Sequence, residues 1–317
     1  KGITINGMSM KNVVEAIDLR NHVFQNFERS LTTSDEDEIK ALRTIVIAGG
    51  GPTGVELAGS FGELKTNVFK KDFPEVKQDD IKIYLIHGDP RVLPTFSEKS
   101  SERAHRYLKK LGVTLMLDTL VKEYENDVIV TDKGDRITAH TLVWTAGVMG
   151  APIKGVPKES MARGNRILVD EFNKVKGTAN IYAIGDVACM ISEKYPQGHP
   201  QVAPPAQQQG KLLGKNLIEM YRNGKPKPFV YKDKGSMATV GKNKAVVEIG
   251  RIKLGGFIAW FLWMVVHLLS LVGFRNRIAI LINWIMNYFS RNSVRLIIRP
   301  YDEAAARKRK EQEMLNS

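Results

Sequence analysis

Apolar and polar residues alternate in blocks along this 317-residue chain, and the blocks change character near residue 220. Before that point, short β-branched runs are separated by longer mixed stretches. IVIA at 45–48, IKIYLI at 81–86 and VTLML at 113–117 read as apolar strands, and TLVWTAG at 141–147 as a buried strand ending in glycine. SEKSSERAHRYLKKLG at 97–112 reads as a helix, with Ser97 as its N-cap and Gly112 as its stop. VIVTDKGDRIT folds back as a hairpin around Lys133-Gly134. Strands alternating with helices predict an α/β fold with a largely parallel sheet covered on both faces. Ligands then sit beyond the carboxyl ends of the strands.

The strand at 45–48 runs into Gly49-Gly50-Gly51-Pro52-Thr53-Gly54, and a helix is expected from Pro52. Gly49 permits a tight turn, Gly51 lets the backbone approach a pyrophosphate, and Gly54 allows close packing of helix and strand. The helix start offers N–H donors and a partial positive charge, so strand, turn and helix together predict dinucleotide binding. The acid expected after the second strand, to hold the ribose 2′-OH, is displaced. LIHGDPRVLP puts His87 at the strand end, with Asp89 and Arg91 beyond, and NVFKKDFPEVKQDD lengthens the crossover before it. This favours NADH but leaves NADPH open, and leaves His87 either a ligand or a solvated loop residue. Further on, NIYAIGDVA at 180–188 reads as an apolar strand ending in Gly185-Asp186. A carboxylate at that edge can accept a hydrogen bond from a polyol, as the ribityl chain of FAD would offer.

Composition changes this picture at two points. Cys189 is the only cysteine, which excludes a disulfide framework, a CxxC redox pair and a cysteine-ligated cluster, and no metal site is expected. The net charge of +13 asks for an anionic partner, either nucleic acid or a membrane surface. LGGFIAWFLWMVVHLLSLVGF at 254–274 holds no formal charge and, at 21 residues, is long enough to span a bilayer. IAILINWIMNYFSR follows it, with Asn283, Asn287 and Arg291 as a narrow polar stripe. Seven Lys or Arg and no acid lie from Arg251 to Pro300, among Trp260, Trp263, Trp284 and Tyr288. His267 and Ser270 share one face of the first segment, and the aromatic and basic residues of the second fit an interfacial helix on anionic lipid. Nucleic acid is excluded because the basic residues alternate with aliphatic ones. The closing RKRKEQEMLNS reads as a solvated tail.

GGGPTGVELAG, RVLPTF, LVWTAGV, NIYAIGDVA and HPQVAPPAQQQGK occur here in a joint order. In that order the chain resembles the type II NADH dehydrogenases, single-subunit NADH:quinone oxidoreductases that pump no protons. The resemblance runs from about residue 1 to about residue 300. It implies an α/β fold with two dinucleotide-binding, Rossmann-like domains, the NAD domain inserted in the FAD domain, plus a C-terminal amphipathic helical membrane anchor. Residues 1–40 would end a first FAD-domain segment whose own glycine turn lies ahead of them. Residues 41–150 would bind NADH, 151–235 would be the second FAD-domain segment with the quinone motif, and 236–317 would anchor.

By position, the resemblance places Gly49, Gly50, Gly51, Pro52, Thr53, Gly54, His87, Thr145, Ala146 and Gly147 around NADH. Glu56, one helical turn in, would approach the nicotinamide as the catalytic carboxylate. Gly185, Asp186 and Val187 would hold FAD. The quinone motif, AQxAxQ in this family, aligns with Ala203, Pro204, Pro205, Ala206, Gln207 and Gln208. Pro204 replaces its first Gln and supplies neither a side-chain amide nor an N–H. The implied partners are a membrane quinone, an anionic bilayer and a second copy of the chain. The implied location is the cytoplasmic face of a bacterial inner membrane. Two other readings stay open: a soluble NAD(P)H-dependent flavin reductase, and a membrane-attached nucleotide-binding scaffold without turnover. The missing CxxC and the lipid-seeking C-terminus argue against the first.

Overall fold

The computed structural model describes residues 1–151, 153–271, 273–289 and 301–315. They form two compact units: Lys1–Ala146 together with the chain from Gly235 onward, and Gly147–Lys234.

After a single helical turn at Ile3–Asn6, the first unit continues with two capped helices. Asn12 accepts the Glu15 N–H at the start of α1 (Val13–Arg29), and Asp35 accepts the Asp37 and Glu38 N–H groups at the start of α2 (Glu36–Leu42). Strand β1 (Thr44–Ala48) leads into α3 (Pro52–Glu63), which continues as a π-helical turn over Leu64–Phe69. Next come β2 (Lys82–Ile86), α4 (Glu98–Lys110) and β3 (Val113–Met116). An antiparallel meander, β4 (Val121–Glu125), β5 (Val128–Thr131) and β6 (Arg136–Thr138), precedes β7 (Thr141–Trp144). The four parallel strands lie in the order β3-β2-β1-β7, and Ala48 at the end of β1 pairs with both Ile86 and Trp144.

Strand β1 is apolar on both sides because both faces of the sheet are covered. Ile45 and Ile47 join a core with Leu19, Val23 and Phe27 of α1 and Val55, Ala58 and Phe61 of α3. Val46 and Ala48 face Tyr124, Ile129 and Ala139 of the meander side. One face is therefore covered by helices and the other by a second small sheet. Phe69, delivered by the π-helical turn, stacks on Phe27 at 4.1 Å. The helix at 13–29 thus shares its core with the parallel sheet.

The second unit contains β8 (Met161–Ala162), β9 (Arg166–Val169), β10 (Ala188–Met190) and helix α5 (Ala203–Tyr221). The run at 180–188 is not a strand ending in Gly-Asp. Tyr182 forms a single bridge with Lys174, and Gly185–Val187 make a 3-10 turn that precedes β10. Gly185 adopts φ +72°, which breaks the extended run before the carboxylate is reached.

The chain then returns to the first unit as β11 (Ser236–Thr239), β12 (Ala245–Ile249) and β13 (Ile252–Gly255). Val246 of β12 points into the main core, while Ala245 and Val247 pack on Ala259 of α6 (Gly256–Ser270). Helices α7 (Phe274–Phe289) and α8 (Glu303–Leu315) follow. The apolar segment at 254–274 is shortened as a helix because its first residues belong to β13. Fifteen helical residues rise about 22 Å, and among the described residues no helix is long and apolar enough to cross a membrane.

Two local expectations are corrected by distant partners. Ser97 occupies the N-cap position of α4, but its hydroxyl donates to Glu248 of β12 and accepts no N–H of its own helix. The Glu248 carboxylate also accepts the Ser97 N–H, so a residue of β12 caps α4. The closing basic segment is solvated along most of its length, with Lys308, Arg309 and residues 311–314 exposed, but it is helical as part of α8 and is tied down at one point. Lys310 donates to the carbonyls of Gly7 and Ile5, and Tyr301 meets the edge of His22 at 5.3 Å.

Burial opposes the charge on Glu248, but hydrogen bonds from Ser100 and Ser97 prevail, and its carboxyl titrates below the ordinary value. Its contribution is therefore present above the ordinary carboxylate range and is lost as pH falls through the lowered folded value. Glu248→Gln should cost about 1 kcal/mol in urea unfolding at pH 7. The gap to wild type should close in acid, and a gap independent of pH would remove the charge from this cap.

Candidate dinucleotide, flavin and quinone sites

The carboxyl edge of the parallel sheet is shaped by glycine contacts. Gly49 turns the chain at φ +118°, and a Cβ there would lie 2.7 Å from Thr145 Oγ1 and 2.8 Å from the Ala146 nitrogen. Gly54 is tighter still, because its Cβ would sit 1.8 Å from the Gly49 carbonyl oxygen. Gly51 is the opposite case: a Cβ there would meet no atom within 4 Å. No side chain caps α3, whose first N–H groups, Thr53 and Gly54 among them, have no acceptor within the helix. An open concavity facing free N–H donors is what a pyrophosphate needs. Thr145 joins the β1 and β7 ends, donating from its nitrogen and its hydroxyl to the Ala48 carbonyl at 2.8 and 2.9 Å.

His87 lies against this turn and is not a solvated loop residue. A Cβ on Gly50 would approach its ring to 2.6 Å, and the side chain is only 15% exposed. Its Nε2 stands 3.1 Å from Asp89 Oδ2, in poor alignment for a hydrogen bond. Burial lowers the His87 pKa, with Asp89 opposing, so the ring is neutral at pH 7.

Glu56 is half-buried on α3, and its Oε1 accepts the Thr239 N–H of β11 at 3.2 Å. Burial raises its carboxyl above the ordinary range, against the pull of Thr239 and of His267 on α6. The structure therefore gathers Gly49 to Gly54, His87, Thr145 and Ala146 at one sheet edge, with Glu56 a turn away toward β11. Gly147, at φ +83° in open space, begins the second unit.

In the second unit, Gly185, Asp186 and Val187 form a turn beside the start of α5. Asp186 is exposed, so its carboxylate is free to accept from a hydroxyl. The turn is held by a residue absent from the sequence-based set: Gln209, 1% exposed, accepts the Gly185 N–H at 2.8 Å. Its signal was spacing, since Pro205, Gln209 and Asn216 are the buried positions of α5 and recur at helical intervals. Gln201 donates to the Asp186 carbonyl at 3.0 Å. The loop before it is pinned by the buried Arg166 guanidinium, which donates to the carbonyls of Gln197, Ala188 and His199.

The quinone-motif residues take different places. Ala203 and Pro204 open α5, and Pro204 sits in the first turn, where no intrahelical N–H is required. The departure at Pro204 therefore suits helix initiation. Gln207 is exposed. Both ends of the Gln208 amide are engaged, with the Lys232 nitrogen and carbonyl, each at 3.0 Å.

Helices α6 and α7 meet through Trp263 and Trp284 at 6.3 Å and through Trp260 and Tyr288 at 5.7 Å. Between these helices and α3 lies an apolar cavity of about 920 Å³, with Ser60, Glu63 and Lys242 among its few polar side chains. The outward faces carry Ile258, Leu269, Ile282 and Met286, each more than half exposed. In the proposed stripe, Asn283 is exposed, whereas the Asn287 side chain and Arg291 lie outside the described residues.

Residues 4–210 match the pyridine nucleotide-disulphide oxidoreductase model, and residues 234–292 match the NDH2 C-terminal domain. The type II NADH:quinone oxidoreductase Ndh of Mycobacterium tuberculosis is 33% identical over 314 residues, covering 96% of this chain and 66% of its own length. The internal alternative NAD(P)H-ubiquinone oxidoreductase A1 of Arabidopsis thaliana mitochondria is 32% identical, covering 93% of this chain and 61% of its own. The chain thus spans just under two thirds of the length of these curated relatives. NDH2 from Plasmodium falciparum, solved in complex with NADH, superposes with a TM-score of 0.85 at 19% identity, over 94% of this chain and 76% of that one. That likeness establishes the fold. With its glycine turn and the match over residues 4–210, the chain belongs to the pyridine nucleotide-disulphide oxidoreductase family, and among the members of that family it resembles the type II NADH dehydrogenases.

Proposed function

We propose that the protein carrying this chain oxidises NADH and reduces a membrane quinone through FAD, without pumping protons. The observation that carries this reading is the open helix start at Gly51, the one turn position where a ligand phosphate could approach without meeting a side chain. Bound FAD would supply the chemistry that accepts hydride from NADH and returns two electrons to quinone. This chain's residues would position the partners. Gly49–Gly54 and the start of α3 would hold the pyrophosphate, and Thr145 and Ala146 would flank the nicotinamide side. Glu56 would border it as a carboxylate whose charge is opposed by burial. Asp186, with its turn fixed by Gln209 and Gln201, would accept from the ribityl chain.

The start of α5, from Ala203 to Gln208, would face the quinone. With the Gln208 amide engaged by Lys232, that contact would be made mainly by backbone and by Gln207. Helices α6 and α7 would lie in the surface of an anionic bilayer as a monotopic anchor, and their apolar cavity would admit the quinone tail. The inserted-domain arrangement, a homodimer and the cytoplasmic face of a bacterial inner membrane complete this reading.

An anaerobic absorbance titration tests it. In the protein that carries this chain, flavin bands should bleach with stoichiometric NADH and return with a quinone analogue. A flavin that stays oxidised under NADH, or stays bleached under quinone, would remove the proposed activity.

A further inference from the structure

The π-helical turn at Leu64–Phe69 borders two cavities of opposite chemistry. Leu64, Asn67 and Val68 line the apolar cavity beside α6 and α7. Lys65 and Thr66, with Lys70 just beyond, line another of about 350 Å³, bounded by Gln78 and by Lys110, Leu111 and Gly112 at the end of α4. No carboxylate lines this second cavity. Among the described residues, none of its three lysines is in an ion pair. A π-helical insertion frequently marks a functional position, and here it sets Lys65 and Lys70 on the same opening.

Two details make the lining a set of donors awaiting an acceptor. The Gln78 amide nitrogen is buried and has no hydrogen-bond partner, which is costly unless something accepts from it. Lys65 Nζ donates to the Ile81 carbonyl at 2.8 Å, but burial and then Lys82 lower its pKa, with only Asp79 opposing. Its positive charge is therefore under-compensated. Gly112, at φ +75°, turns the chain at the floor of the cavity, 3.5 Å below Lys65 Nζ when measured from the position of a Cβ. Lysines also complement the carbonyl end of a helix. That accounts for Lys110 on α4 but not for Lys65 and Lys70 on another element, nor for the unpaired amide.

We propose that this cavity binds a phosphate group, held by the ammonium groups of Lys65, Lys70 and Lys110 and by the Gln78 amide. Two sources carry that chemistry: the headgroup of an anionic phospholipid, and inorganic phosphate or a phosphate monoester in solution. Lysine binds phosphate as a compact point charge, so several converging ammoniums suit either source.

The test uses the full chain at constant ionic strength, with saturating NADH to displace phosphate from the glycine turn. Phosphorus NMR should show saturable broadening of inorganic phosphate. Lys70→Gln with Lys110→Gln, both exposed, should weaken binding about tenfold while leaving NADH affinity and thermal unfolding unchanged. Lys65→Gln provides an independent variant. In flotation, vesicles of phosphatidylglycerol in phosphatidylcholine should lose the double variant more than a control pair, Lys122→Gln with Lys133→Gln. Saturable phosphate binding without that vesicle difference assigns the site to a soluble source, and the reverse assigns it to lipid. No saturable phosphate binding, together with vesicle binding equal to that of the control pair, overturns the proposal.

Discussion

Gly54→Ala should abolish NADH binding and destabilise the first unit by roughly 3 kcal/mol or more. The added Cβ would stand 1.8 Å from the Gly49 carbonyl oxygen and 2.8 Å from Thr145 Oγ1. Neither neighbour can withdraw cheaply. The Gly49 nitrogen donates to Ile86 at 2.8 Å, and the Thr145 nitrogen and hydroxyl both donate to Ala48, so the obstacle is backbone clamped between three strands. Relief requires α3 to move off the sheet, which uncovers Val55 and Ala58, both fully buried. Gly51→Ala is the matched control. Position 51 has φ −72° and open space around its Cβ, so alanine should leave stability within about 0.5 kcal/mol of wild type. Yet the methyl would occupy the space through which a phosphate reaches the α3 start, and NADH affinity should fall about 100-fold, near 3 kcal/mol. Fluorescence titration with NADH and urea unfolding separate the two variants. Unchanged NADH affinity in Gly51→Ala would move the cofactor elsewhere.

This contrast also shows which parts of the molecule could be read from sequence. The glycine turn was legible because its requirements are local: strand, glycine spacing and helix start lie within 44–63. The parallel strands were legible for a similar reason, as each is a short, largely apolar run, buried throughout in β1 and less so toward the edge strand β3. Elements determined by distant partners were not legible. Ser97 looks like a self-sufficient cap, but its acceptor, Glu248, is 151 residues away. The closing basic run looks wholly solvated until Tyr301 and Lys310 find His22 and the Gly7 carbonyl. At 180–188 the apolar pattern suggested a strand, but Gly185 turns at φ +72° and hands the strand to the residues after it. In the quinone motif, Gln208 carried the resemblance while Gln209 carries the fold, a distinction that only burial on α5 reveals.

The other large effect is expected at the outward faces of α6 and α7. Ile258, Leu269, Ile282 and Met286 are 68%, 60%, 51% and 62% exposed, so replacing all four by Ser should leave packing nearly unchanged. The cores behind them, Trp263 on Trp284 and Ala259 on β12, do not involve these side chains. Inserted into the headgroup and acyl boundary, each would gain on the order of 1 kcal/mol from partial burial. The fourfold variant should therefore partition into anionic vesicles about three orders of magnitude more weakly. Salt separates the apolar part from the electrostatic part. Attraction of the basic residues to the bilayer is screened within about 8 Å at physiological ionic strength, so high salt should weaken both proteins by a similar factor and preserve their difference. Electron transfer from NADH to a small water-soluble acceptor should persist in the variant of the protein that carries this chain. Reduction of a long-tailed quinone in liposomes should fall with the partitioning. Vesicle binding that depends on salt but not on the four substitutions would place the basic residues, not the apolar faces, against lipid. The exposed stripes of α6 and α7 would then have to be covered by protein, and a change of oligomeric state in the same variant would identify that cover as a second copy of the chain.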